Sequence, residues 1–104
     1  MSNAEEFYNA IIAQIPEATP SKMFGALCAK TPNGKAAMMF WKEAMVFKLT
    51  GEDEKEALAY DGASVFEPAD GRKMNGWILL PYDYKDKWAY FAEKSVAYVK
   101  ELKK

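Results

Sequence analysis

The side chains that most often do chemistry are sparse in this chain. The sequence contains no histidine and one cysteine, Cys28. Without imidazole there is no serine–histidine or cysteine–histidine nucleophile, no histidine-ligated zinc, and no general base whose unperturbed pKa lies near neutrality. Cys28 stands in an apolar run, where an unpaired thiol behaves as a small buried hydrophobe. The acids Glu52, Asp53, Glu54 and Glu56 crowd one segment but lack the ligand spacing and turn glycine of a calcium loop. They suit the positive end of a helix instead. Asp70-Gly71-Arg72-Lys73 is the one phosphate-loop-like stretch, and it has the spacing of neither nucleotide fingerprint. These residues predict no catalytic centre, no metal site and no cofactor, so the chain reads as a non-enzyme.

Binding chemistry has more to work with. Arg72 is the sole arginine in a lysine-rich chain. Its planar fork suits either a structural carboxylate or the anion of a ligand or partner. Lys48 and Trp77 join it as candidate contacts. Trp41, Trp77 and Trp88, with six Phe and six Tyr, could stack on bases, but stacking needs a basic groove beside it. Fourteen basic against 15 acidic residues give a net charge of −1. That leaves no excess to neutralise phosphates, so direct nucleic-acid binding is not expected and the aromatics read as core.

The elements that must hold these residues follow from periodicity. At 104 residues, half of them hydrophobic, the chain makes one domain, 1–104, with material for one core. Residues 4–15 set Phe7, Ala10, Ile11 and Ile15 at helical spacing before Pro16, and 16–21 reads as an extended connector. Strands are expected near 23–30 and 35–41, joined by a tight Asn33-Gly34 turn. Gly25 inside the first of them suggests a bulge or a close backbone approach. A third strand over 44–49 completes an antiparallel meander centred on the hairpin of residues 36–50. Thr50 or Gly51 opens a short helix that ends before Gly62. Then come an extended piece at 64–68, a turn, and a strand at 73–80. Asp83 is placed to cap a long last helix with Tyr84, Trp88, Phe91, Ser95, Val99 and Leu102 on one stripe. The fold class is α+β: an antiparallel sheet, meander plus later hairpin, carrying N-terminal and long C-terminal helices.

Both faces of that sheet are apolar. If Met45, Phe47 and Leu49 meet the helices, then Val46, Trp77 and Leu79, with Ala37, Met39 and Trp41 or their alternates, face something else. A sheet with one wet face alternates more cleanly, and exposed apolar patches mark partners. The pattern predicts a homodimer or another protein bound there, unless helices cover both faces. No stretch approaches the roughly 18 apolar residues of a membrane span. The acidic start, with Glu5 and Glu6 and no long apolar region, predicts a cytoplasmic protein without a secretory signal.

At these residues the chain resembles the TfoX N-terminal domain family. The matching pieces are Met23-Phe24-Gly25, Asn33-Gly34, Met45-Val-Phe-Lys-Leu49, Phe66-Glu-Pro68, Gly71-Arg72, Met74, Trp77, Pro81 and a helix bearing Trp88. They run in order over residues 7–102. The chain departs from the family pattern at Lys42-Glu43, where a second Asp/Asn-Gly turn is usual, and at Cys28, where a bulkier residue is usual. The resemblance implies a bacterial, secretion-chaperone-like α+β domain akin to the front half of a competence regulator. It brings no catalytic residues to carry over. The expected function is a protein-interaction or regulatory module; the rival expectation is a small-molecule binder or weak enzyme with a pocket between sheet and C-terminal helix.

Overall fold

The computed structural model describes residues 3–23, 26–69 and 71–102, apart from the side chains at 23, 68, 69, 72 and 75. In chain order the elements are α1 (Asn3–Gln14), β1 (Thr19–Met23), β2 (Ala26–Lys30), β3 (Ala36–Trp41), β4 (Ala44–Lys48), α2 (Gly51–Leu58), β5 (Ser64–Ala69), β6 (Arg72–Pro81), a 3₁₀ turn (Tyr82–Tyr84) and α3 (Lys85–Val99). The strands form one antiparallel sheet in the order β1-β2-β3-β4-β6-β5. After β4 the chain crosses through α2 to the far edge and returns as β6 beside β4. The α+β class is as expected, with one strand more than the sequence suggested. The end of the expected connector, residues 19–21, joins Lys22 and Met23 in β1, which pairs with β2. Pro20 hides this strand from sequence patterning, yet an edge strand bonds on one side only and tolerates a missing N–H. Gly25, where a bulge or a close backbone approach was expected, lies outside the described residues, as does Phe24.

The helices pack on one face of the sheet. Trp88, Phe91, Ala92, Val96 and Val99 of α3 are buried against Met38, Met45, Phe47, Leu49, Ile78 and Leu80. Phe47 and Phe91 sit with ring centroids 5.9 Å apart. Trp88 Nε1 donates to the Leu80 carbonyl at 3.2 Å, tying α3 to the end of β6. The C-terminal stripe is as the spacing predicts, whereas α1 buries Ala4, Tyr8, Ile11 and Ile12. Ala10 is exposed and Phe7 only half-buried, so the α1 stripe is rotated relative to expectation. Phe7 instead meets the edge of Trp88 at 5.9 Å. Asp83 does not cap α3: it lies in the 3₁₀ turn, and Tyr84 precedes the helix without a side-chain cap.

The two tight turns exchange the geometries that their residue types suggest. Asn33-Gly34 is not a two-residue hairpin turn. The loop is Pro32-Asn33-Gly34, closed by Thr31 N to Lys35 O at 2.9 Å, with Gly34 at φ +83°. Lys42 and Glu43, which carry no turn signal, make the two-residue turn of β3–β4 with φ of +46° and +67°. Both positive values are those of a type I′ turn, whose twist matches the flanking strands.

Candidate functional site

The other face of the sheet carries a second apolar layer. Cys28, Met39, Val46, Phe66 and Trp77 are buried in it, with Ala26, Ala36, Trp41, Met74 and Leu79 partly buried around them. Met45, Phe47 and Leu49 do face the helices, and Val46, Met39, Trp41, Trp77 and Leu79 do face away. Ala37 is the exception. The register between β2 and β3 steps from Ala29↔Met38 to Lys30↔Ala36, skipping Ala37. This one-residue bulge turns Ala37 and Met38 together into the helix-side core and leaves Ala36 with Met39 and Trp41.

Among the described residues no helix packs on this face; the chain's own β5–β6 hairpin folds over it. Strands β4 and β6 lie between β3 and β5, about 14 Å of separation in a flat sheet. Yet the rings of Trp41 and Phe66 are 5.2 Å apart, edge to face. The sheet therefore curls, and the register shows where. Between Val65↔Ile78 and Phe66↔Met74, β6 runs three residues with no counterpart in β5. Gly76 stands among them at φ +87°, a conformation that L side chains rarely adopt. The far half of the hairpin bends there and lays Phe66 over Trp41.

The sequence candidates separate. Lys48 and Trp77 are register partners, and the Lys48 ammonium lies 5.5 Å over the Trp77 ring. A Cβ added at Gly76 would stand 3.3 Å from Lys48 Nζ, so the glycine also makes room for that lysine. Trp77 itself is only 9% exposed; it is a packing residue beneath Lys48 rather than an open contact. Arg72 lies at the far end of β6, opposite Ala69, and its side chain is outside the described residues. Of the other motif positions, Gly34 and Gly71 hold positive φ in turns, Phe66 and Met74 belong to the second layer, and Pro81 ends β6.

Two lysines went unnoticed in the sequence. Lys42 lies 5.7 Å over the Trp41 ring. Lys30 shares the face of its register partner Ala36 and acts electrostatically on Cys28. The available signal was the near absence of acids over residues 19–50, where Glu43 is the only one.

Reactive chemistry is muted. Cys28 is buried, and desolvation raises its pKa despite a hydrogen bond from Ser21 and the charge of Lys30. An inert thiol results. Tyr8 is buried with its hydroxyl unpartnered, and burial raises its pKa strongly, with Cys28 adding to the effect. Among the described residues no three His, Cys, Asp or Glu gather to hold a metal, and no helix is long and apolar enough to cross a membrane. The layer between sheet and α3, where a pocket was expected in the rival case, is filled by fully buried side chains. Depressions lie instead at the periphery. One of about 310 Å³ opens beside Trp41 and Lys42 at the start of α1; others flank Ile15. No family model, curated protein or solved structure matches the chain.

Proposed function

We propose that the chain is a small non-enzymatic interaction and regulatory module of the TfoX N-terminal type, acting in the bacterial cytoplasm, with the helix-free face as its contact surface. The observation that carries this reading is the partly open rim around the second layer. Ala26, Ala36, Trp41, Met74 and Leu79 stay half-buried where a solvated face would alternate with polar residues. Lys48 contributes a charge beside them, and Trp77 supports it from below. The motifs of the resemblance fall along this face and its hairpin, at Phe66, Met74 and Trp77, which also supports the reading. The absence of histidine and the buried state of Cys28 favour binding over catalysis.

The test is light scattering across a concentration series, with Leu79→Asp on the rim as the disruptor. A reversible dimer that Leu79→Asp dissolves is the result expected if the face binds a second copy. A monomer that binds another protein through the same face, with binding lost in Leu79→Asp, supports the heterotypic form. A wild-type chain whose only ligand is a small molecule seated beside Ile15 or Lys42 overturns the reading.

A further inference from the structure

The charges of this chain are divided between its layers. Strands β1–β6 carry five cations, Lys22, Lys30, Lys48, Arg72 and Lys73, against the single carboxylate of Glu67. Helices α1–α3 carry eight carboxylates against four lysines. The net charge of −1 averages this away. On the helix-free face Lys48 stands over Trp77, Lys42 over Trp41, and Lys30 beside Cys28. The one strand carboxylate is engaged elsewhere: Glu67 Oε2 accepts the Gly71 N–H at 2.8 Å.

Resting on the interaction-face reading, we propose that the occupant of this face is an acidic segment of another protein. Its apolar side chains would seat on the rim of Trp41, Met74 and Leu79, and its carboxylates would meet Lys30, Lys42 and Lys48. Complementary charge of this kind sets partner choice and on-rate. A second copy fits less well, because a two-fold dimer would bring two sets of these three lysines into one interface, while Glu67, the one carboxylate on the strands, already accepts the Gly71 N–H. Strand addition is obstructed by a proline in each edge strand, Pro20 in β1 and Pro68 in β5. Single-stranded nucleic acid needs open aromatic faces, and here Phe66 abuts Trp41 while Lys48 covers Trp77.

The experiment is selection of a random peptide library displayed on phage against the immobilised full chain, followed by anisotropy with the enriched peptides. An oligothymidylate is measured in parallel. Acid-rich peptides with apolar anchors are expected. Their affinity should fall at least tenfold from low to high salt, and at least tenfold in Lys30→Gln/Lys42→Gln/Lys48→Gln. The control Lys55→Gln/Lys87→Gln/Lys94→Gln, on the helices, should bind as wild type. Circular dichroism verifies that both triple variants fold, and the wild-type salt dependence stands independently of them. Enriched peptides that are neutral or basic, an empty selection, equal loss in the helix variant, or tighter binding of the oligothymidylate each overturn the proposal. If acidic peptides fail while a dimer dissolved by Leu79→Asp forms, the acidic partner is wrong and the interaction face stands. If neither binds, both fall.

Discussion

Ser95, buried in the middle of α3, donates its hydroxyl proton to the carbonyl of Ala37, the residue that the β2–β3 register skips. A bulge takes one residue out of the ladder and leaves its backbone groups in need of partners. The bulge of Ala37 is buried under the helix, so the partner must come from protein. Ser95→Ala leaves that carbonyl unsatisfied at an expected loss of about 1–3 kcal/mol. Urea unfolding should show a lower midpoint with an unchanged slope. An unaltered midpoint would mean that the bulge stands without the helix.

Asn33 performs a similar service at the C-terminal end of α3. Its Nδ2 donates to the carbonyls of Val99 and Leu102 at 2.8 and 2.9 Å, while its Oδ1 accepts the Lys35 N–H at 3.1 Å. One turn residue thus binds its own loop and stops the helix 66 residues away in sequence. Carbonyls at a helix C-terminus lack intrahelical partners and carry partial negative charge. Asn33→Asp keeps the acceptor, removes both donors and adds a like charge. It is expected to lose about 2 kcal/mol, more than Asn33→Ala. Hydrogen exchange should rise over residues 96–102 in Asn33→Asp while α1 keeps its protection.

The element types were legible because their causes are local. Met45, Phe47 and Leu49 alternate, and Trp88, Phe91, Ser95 and Val99 recur at helical spacing, so each segment declares its period. The two-faced apolarity of the sheet was legible for the same reason. What escaped depends on single backbone events with distant partners. The bulge at Ala37 inverts the parity of β3, and the three unpaired residues around Gly76 fold a hairpin onto a face that the alternation alone leaves open. The turn types escaped because Asn33 is held by carbonyls of α3 that no local pattern reveals. In the candidate site Lys48 and Trp77 follow from strand alternation. Lys30 and Lys42 do not, because whole-chain charge averages over layers that the fold separates.

Lys42 and Glu43 both hold left-handed backbone angles that cost L-residues roughly 1–2 kcal/mol each. Asn and Gly adopt them readily, so Lys42→Asn/Glu43→Gly is expected to raise stability by about 1–2 kcal/mol. The exposed Lys42–Trp41 contact at 5.7 Å offsets this by no more than about 1 kcal/mol. Glu43→Gly alone keeps that contact and should supply roughly half of the gain. Thermal and urea midpoints read the series; a loss in Glu43→Gly would show that the turn is held by its side chains rather than strained by them.

Tyr8 and Cys28 give stability an alkaline limit. Burial holds both folded-state pKa values above the ordinary 10.0 and 9.0. The unfolded chain therefore releases these protons first, and their contribution is intact below those values and lost as pH rises past them. Stability should fall from about pH 9 through Cys28 and more steeply above pH 10 through Tyr8. Tyr8→Phe also removes a buried hydroxyl without a partner, so at neutral pH it should stabilise by about 1 kcal/mol. The double variant Tyr8→Phe/Cys28→Ala is expected to show a shallower alkaline fall in urea midpoint than wild type. Parallel pH profiles for the two proteins would assign the fall to groups other than Tyr8 and Cys28.

Gly76 decides whether the second apolar layer closes. At φ +87° an alanine is strained whatever the space, and its Cβ would also press on Lys48 Nζ at 3.3 Å. The ammonium can move, so the backbone carries most of the cost, about 1–2 kcal/mol. Gly76 meets the helix-side core through its carbonyl, which accepts the Leu49 N–H at 2.8 Å, a bond that an alanine can keep. Gly76→Ala should therefore leave the helices folded and release the bend that lays Phe66 over Trp41. Expected signs are a red-shifted tryptophan emission and new binding of an apolar dye, with far-ultraviolet dichroism unchanged. Cys28, buried in the same layer, should then react faster with a thiol reagent. Emission, dye binding and thiol reactivity all at wild-type levels would show that the hairpin is held down by its packing alone, without need of the glycine.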